Sequence, residues 1–106
     1  MKTVFFLAMT FGFLGTVVSA QMADCNYDAR FYGTTGTIKV AGGQPVAYWT
    51  PRYTASNVYM QDDTIFIDQA TLSNVIYGKN QNGHWSFQGD WKLGSRSKKD
   101  VVFVCR

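Results

Sequence analysis

From Asp28 onward, short apolar runs alternate with polar positions and are interrupted by Gly, Asn and Asp about every ten residues, the rhythm of an all-β sandwich or barrel. The first predicted strand is Asp28 to Tyr32, ended by Gly33. Gly36 to Val40 follows, with Ile38 and Val40 on one face and Thr37 and Lys39 on the other. After Gly42-Gly43, Pro45 stands where a strand can begin without its missing N–H, ahead of Val46-Ala47-Tyr48-Trp49. Asn57 to Met60 and Thr64 to Asp68 flank Gln61-Asp62-Asp63 as a hairpin. Leu72 to Tyr77 and His84 to Gln88 form a second hairpin, whose Asn82-Gly83 can supply the positive φ angles of a tight turn. Trp91 and Leu93 come next, then a basic loop over Ser95–Asp100, and Val101 to Cys105 closes the chain as its most strand-like run. Helical periodicity is weak, and the only helical expectation is a turn or two over Gln69 to Asn74.

The first twenty residues follow a different pattern. Lys2 precedes an apolar run from Val4 to Val18, and Ser19-Ala20 supply small side chains at a cleavage site, the layout of a secretory signal. A spanning helix needs roughly 20 apolar residues, and this run is shorter and contains Gly12 and Gly15. Cleavage after Ala20 leaves Gln21 as the new terminus and residues 21–106 as one secreted β domain. A domain of this size buries only about 60% of its extended-chain surface, so its stability margin is small. Cys25 and Cys105, near the two ends of that domain, have one intramolecular pairing open to them in an oxidising compartment. The fold expected is therefore a small antiparallel β-sandwich or barrel of about six strands, closed by a Cys25–Cys105 disulfide.

Charge adds little. The formal net charge is +3, and removing Lys2 with the leader lowers it to +2, too mild to argue for nucleic acid. All the acids are aspartates, which favour turns, whereas the absent glutamate favours helices. Candidate catalytic chemistry is sparse. His84 is the only histidine and borders a turn, so two-histidine ribonuclease chemistry is excluded, as is any His–Glu pair. Paired carboxylates for glycoside hydrolysis would have to come from Asp62, Asp63, Asp68 and Asp90, and the first two fit a hairpin turn. One histidine and two bridged cysteines leave no zinc set, and no loop has calcium-binding spacing. The expectation is no enzyme, no catalytic residue, no metal and no cofactor.

Binding chemistry is richer. All three Trp and all six Tyr lie after the leader, and Phe66 and Phe103 are assigned to the core. Tyr48, Trp49, Tyr53, Trp85 and Trp91 exceed what one small core hides, and exposed aromatics make anchors for a protein or stacking platforms for sugars. Filling the core is the simpler use for Trp49, Trp85 and Trp91. Arg96, Lys98 and Lys99 form a small positive patch for an acidic partner surface. The residues assigned to partner binding are Tyr48, Trp49 and Tyr53, with Arg96, Lys98 and Lys99 as a secondary patch.

A short leader, a mature domain of about 86 residues and one disulfide resemble the small secreted effectors of plant-pathogenic fungi. The strand-rich pattern is similar to the MAX effectors, compact six-stranded β-sandwiches related to the toxin ToxB. The matching features are Cys25 just before the first strand, short Gly- and Asn-punctuated strands, and aromatic-rich hairpins. Their bridge usually joins the first strand to a later internal one, whereas Cys105 lies at the chain end. An end-to-end bridge is similar instead to the ribonuclease-like effectors of powdery mildews, but those begin Tyr-x-Cys and carry a helix, and here Ala23-Asp24 precede Cys25. The resemblance implies a non-catalytic virulence effector that binds a host protein to modulate plant immunity, by strand addition at an open sheet edge. It would be a secreted monomer without nucleic-acid binding or stable membrane insertion, with entry into host cells left open. The rival expectations are an antimicrobial or killer-type toxin acting through the basic residues, a carbohydrate-binding module with its tryptophans in a flat row, and a secreted nuclease.

Overall fold

The computed structural model describes residues 21–106; the expected leader, residues 1–20, lies outside the described residues. Nine strands follow one another: β1 (Cys25–Phe31), β2 (Thr34–Ala41), β3 (Gln44–Thr50), β4 (Tyr53–Thr54), β5 (Val58–Gln61), β6 (Thr64–Ile67), β7 (Ala70–Lys79), β8 (Trp85–Leu93) and β9 (Arg96–Cys105). All pair antiparallel in one sheet of order β4-β3-β2-β1-β9-β8-β7-β6-β5. The all-β, disulfide-closed architecture is the one the sequence pattern predicts.

Its details correct that pattern in three places. There are nine strands rather than about six, and the two-residue β4 has no alternation to announce it. The helical turn expected over Gln69 to Asn74 is the first half of β7, because its apolar positions pair with β6 and β8. The basic loop over Ser95–Asp100 is the outer half of β9, paired with β8 through Trp91↔Lys98, Lys92↔Ser97 and Leu93↔Arg96. It is a hairpin arm, turned at Gly94 (φ 61°).

Topology forces the sheet to curl. Its two edge strands, β4 and β5, are also sequence neighbours, joined by residues 55–57 alone. A flat nine-stranded sheet would separate its edges by roughly 38 Å at about 4.8 Å per strand. The link from Thr54 to Val58 reaches at most about 14 Å. The sheet therefore closes on itself into an up-and-down barrel with two seams. At the first, β1 meets β9 over a two-pair register, Tyr27↔Cys105 and Asp28↔Val104, and the Cys25–Cys105 disulfide crosses beside it. At the second, β3 approaches β5, and the Tyr53 hydroxyl of β4 donates to the Asp68 carboxylate just after β6; the Ala55 amide, donating to the Tyr48 carbonyl at 2.9 Å, extends the β3–β4 pairing by one step.

The core fills the inside of the curl, where Tyr27, Ile38, Ile65, Leu72, Phe87 and Phe103 are fully buried. Aromatic rings run along its axis. Tyr48 lies 5.7 Å from Trp91, Trp91 5.0 Å from Phe31, Phe31 6.0 Å from Phe103, Phe103 5.2 Å from Phe87, and Phe87 5.0 Å from Tyr27. Such offset and edge-to-face pairs add to the area that the rings remove from water. Phe103 is core as expected, but Phe66 faces outward, half-buried, and stacks on Tyr59 at 4.9 Å.

Two bulges re-aim the side chains of β7 and β9. The β7 register slips by one between Ser73 and Ile76, and that of β9 slips opposite Gly89/Trp91. Asn74 (φ 55°) and Asp100 (φ 57°) take left-handed backbone there. Asp90, on β8 between them, holds both: its carboxylate accepts from the Asn74 amide at 3.0 Å and from the Asp100 N–H at 3.3 Å. The β7 bulge is why Leu72 is buried while Ile76, of the same parity, is 67% exposed.

Candidate functional site

One end of the barrel carries the turns at Tyr32-Gly33, Asp68-Gln69 and Gly94-Ser95. There the inner face opens into a cavity of about 690 Å³ at the β4/β5 seam. Tyr48 and Trp91 form its floor, Ile67 and Ala70 its far wall, and Tyr53 and Leu93 its rim. The floor depends on a close approach. The Tyr48 ring lies so near the Gly36 α-carbon that a β-carbon there would stand 2.7 Å from the phenol oxygen. Only glycine at 36 lets Tyr48 settle against β2 and leave the mouth clear.

The rim is tied by one carboxylate. Asp68, in left-handed conformation after β6 (φ 52°), accepts the Tyr53 hydroxyl and the backbone N–H groups of Ser56 (3.1 Å) and Asn57 (2.9 Å). Its own N–H donates to the Asn57 carbonyl at 2.9 Å. A single side chain thus ties β4, the 55–57 link and the β6–β7 turn together. Those donors, the Tyr53 hydroxyl first, hold the Asp68 carboxyl below its ordinary value, and the same bond pushes the Tyr53 phenol up. Burial pushes the Tyr48 phenol up to about 12, with a smaller contribution from Tyr53.

A cation borders the mouth on its other side. The Arg96 guanidinium sits 4.1 Å over the Tyr32 ring, within cation–π range, and lines an adjoining groove of about 240 Å³ with Tyr48, Trp91 and Leu93. Paired residues on neighbouring strands share a face, so Arg96 opposite Leu93 and Lys98 opposite Trp91 lie on the same face of the sheet, with Arg96 the one that lines the groove. Lys99 falls in the bulge, where its charge helps hold Asp90 below its ordinary value after the stronger effects of Asn74 and the Asp100 N–H.

Of the six residues assigned to binding, Tyr48 and Tyr53 line the cavity and Arg96 lines the adjoining groove with Tyr48, while Lys98 lines neither. Tyr48 is 4% exposed, a floor rather than a projecting anchor, while Tyr53 is 47% exposed. Trp49 points to the outer face, half-buried, opposite Thr37 and Thr54 in the register. Lys99 is set apart by the bulge. Sequence reading missed Trp91, Leu93, Asp68 and Arg96's platform Tyr32 as members of one site. Shared parity of Trp91 and Leu93 with the core position Phe87 is the signal that could have found the first two. The tryptophans form no flat row: Trp91 is inside, Trp49 half-buried, and Trp85 stacks on Tyr77 at 5.1 Å at the opposite end.

His84 is exposed at that far end, with Nδ1 2.9 Å from the Cys105 carbonyl oxygen. Among the described residues no group of three or more His, Cys, Asp or Glu could hold a metal ion, and no helix is long and apolar enough to cross a membrane. Compared with family models, curated proteins and solved structures, the chain matches none.

Proposed function

We propose that this chain is a secreted, non-catalytic binding module of the effector kind, and that it captures a host protein through the mouth at the β4/β5 seam. The observation that carries the reading is the cavity floored by Tyr48 and Trp91 with Tyr53, Tyr32 and Leu93 exposed around it. Rigid aromatics in a concave site anchor a partner at low entropic cost. Arg96 beside the mouth, with Lys98 on the same face of β9, favours a segment that offers an aromatic or branched side chain to the cavity and carboxylates beside it. Strand addition is the weaker mode, because the sheet edges at the seam are short, two residues in β4 and four in β5.

A photoreactive residue in place of Leu93 tests this. In host extract it is expected to crosslink a partner that the same group at Asn82, at the opposite end of the barrel, does not reach. Adding Arg96→Glu and Lys98→Glu to the Leu93 probe should abolish the product. If both positions capture the same proteins, or charge reversal changes nothing, the mouth is not the binding site.

A further inference from the structure

The fold begins with a stopper. Met22 is 3% exposed, inside the core, and its N–H donates to the Gly43 carbonyl at 3.1 Å. The Ala23 N–H donates to the Tyr77 hydroxyl at 2.7 Å, and the Ala23 carbonyl accepts from the Tyr27 hydroxyl at 2.6 Å. The Asp24 carboxylate accepts the N–H groups of Gly42 (3.2 Å) and Gly43 (2.9 Å), fixing the β2–β3 turn beneath. The hold on this end of the domain thus starts at the Met22 amide. Gln21 lies outside it, exposed, with its carboxamide in the space that a Gly43 side chain would fill.

We infer that Gln21 is a modification site: once the leader is cut after Ala20, its amine cyclises onto its own side chain to give an N-terminal pyroglutamate. This rests on the secreted reading above. In the step, the neutral α-amine nitrogen attacks the side-chain amide carbon, a five-membered lactam C–N bond forms, and the bond to the side-chain nitrogen breaks. That nitrogen leaves as ammonia with the proton given up by the amine. No oxidant, reductant or further co-reactant is consumed. An α-amine ordinarily titrates near pH 7.7–8.0, so a reactive neutral fraction is present at neutral pH.

The fold tolerates the reaction because every contact from Met22 onward is left in place. Glycine at 43 (φ 82°) leaves room for a flat lactam where the carboxamide now lies. The product has no free amine, so aminopeptidases cannot start. Removal of one further residue would withdraw Met22 from the core.

The test is the intact mass of the disulfide-bonded protein secreted from a yeast expressing the full chain, with N-terminal sequencing. The expected mass is that of residues 21–106 less one ammonia, with sequencing blocked. Residues 21–106 at full mass with Gln21 read first would overturn the cyclisation and leave the export reading intact. Retention of the leader would overturn both. As a second readout, Gln21→Ala keeps its amine. Aminopeptidase is expected to trim it and lower its melting temperature, while leaving the unsubstituted protein unchanged. Equal trimming of the two would overturn the protective role.

Discussion

Replacing both Cys25 and Cys105 with alanine removes the clasp of the first seam. The bridge spans 80 residues of sequence, nearly the whole domain. Loop-closure entropy for a loop of that length corresponds to about 4.5 kcal/mol at 25 °C, lost when the unfolded chain is freed. A domain of this size has roughly 4–13 kcal/mol of total stability. The loss is therefore a third of the total or more. The local structure offers little to replace it, since β1 and β9 share only two register pairs. Urea denaturation followed by tryptophan fluorescence reads the effect. With m of about 1–1.5 kcal/mol per molar, the midpoint should fall by roughly 3–4.5 M, and m should rise as the unlinked chain expands. A double variant that loses less than about 1 kcal/mol would refute the reasoning, because the hydrogen-bonded seam would then hold by itself.

Three further outcomes follow from the same structure. Asp68 and Asp90 both have folded pKa values below the ordinary carboxylate value, so their stabilisation is present above about pH 4 and is lost as pH falls through the folded values. Melting temperature should drop in acid, and Asp68→Asn should flatten that drop; parallel curves would show that Asp68 does not clasp the seam. Gly36→Ala places a methyl group 2.7 Å from the Tyr48 hydroxyl, so the Tyr48 ring must move off β2, at a cost of about 1–3 kcal/mol by overpacking; an unchanged urea midpoint contradicts this. Phe103→Ala, at a site with no exposure, should cost about 3–5 kcal/mol, whereas Ile76→Ser on the outer face should change the midpoint little.

Much of the architecture was legible because alternation and turn chemistry act locally. The β5–β6 hairpin turns at Asp62 (φ 56°), as its acid pair suggests, and the β7–β8 hairpin turns through Gly83 (φ 79°). The disulfide was legible because two cysteines leave one partner each. Bulges are less visible. The extra residue near Asn74 reverses which side chains of β7 face inward, and it is stabilised by Asp90, sixteen residues away, so no local window of sequence contains the cause. The site was half legible for the same reason. Aromatic excess marked Tyr48 and Tyr53, but Asp68 reads as an ordinary turn acid until closure brings Tyr53 and the 55–57 link against it. Arg96 reads as part of a solvated loop until pairing with β8 sets it beside the mouth.

The account depends on a sheet that closes on itself, since the mouth exists only where its two ends meet. Nuclear Overhauser cross-peaks in a labelled sample test this directly. Closure predicts peaks linking β3 to β5, together with peaks from the Tyr53 ring to Asp68. Peaks from β5 to β6 alone, with none from β3 to β5 or from Tyr53 to Asp68, would show an open sheet and remove the site with it.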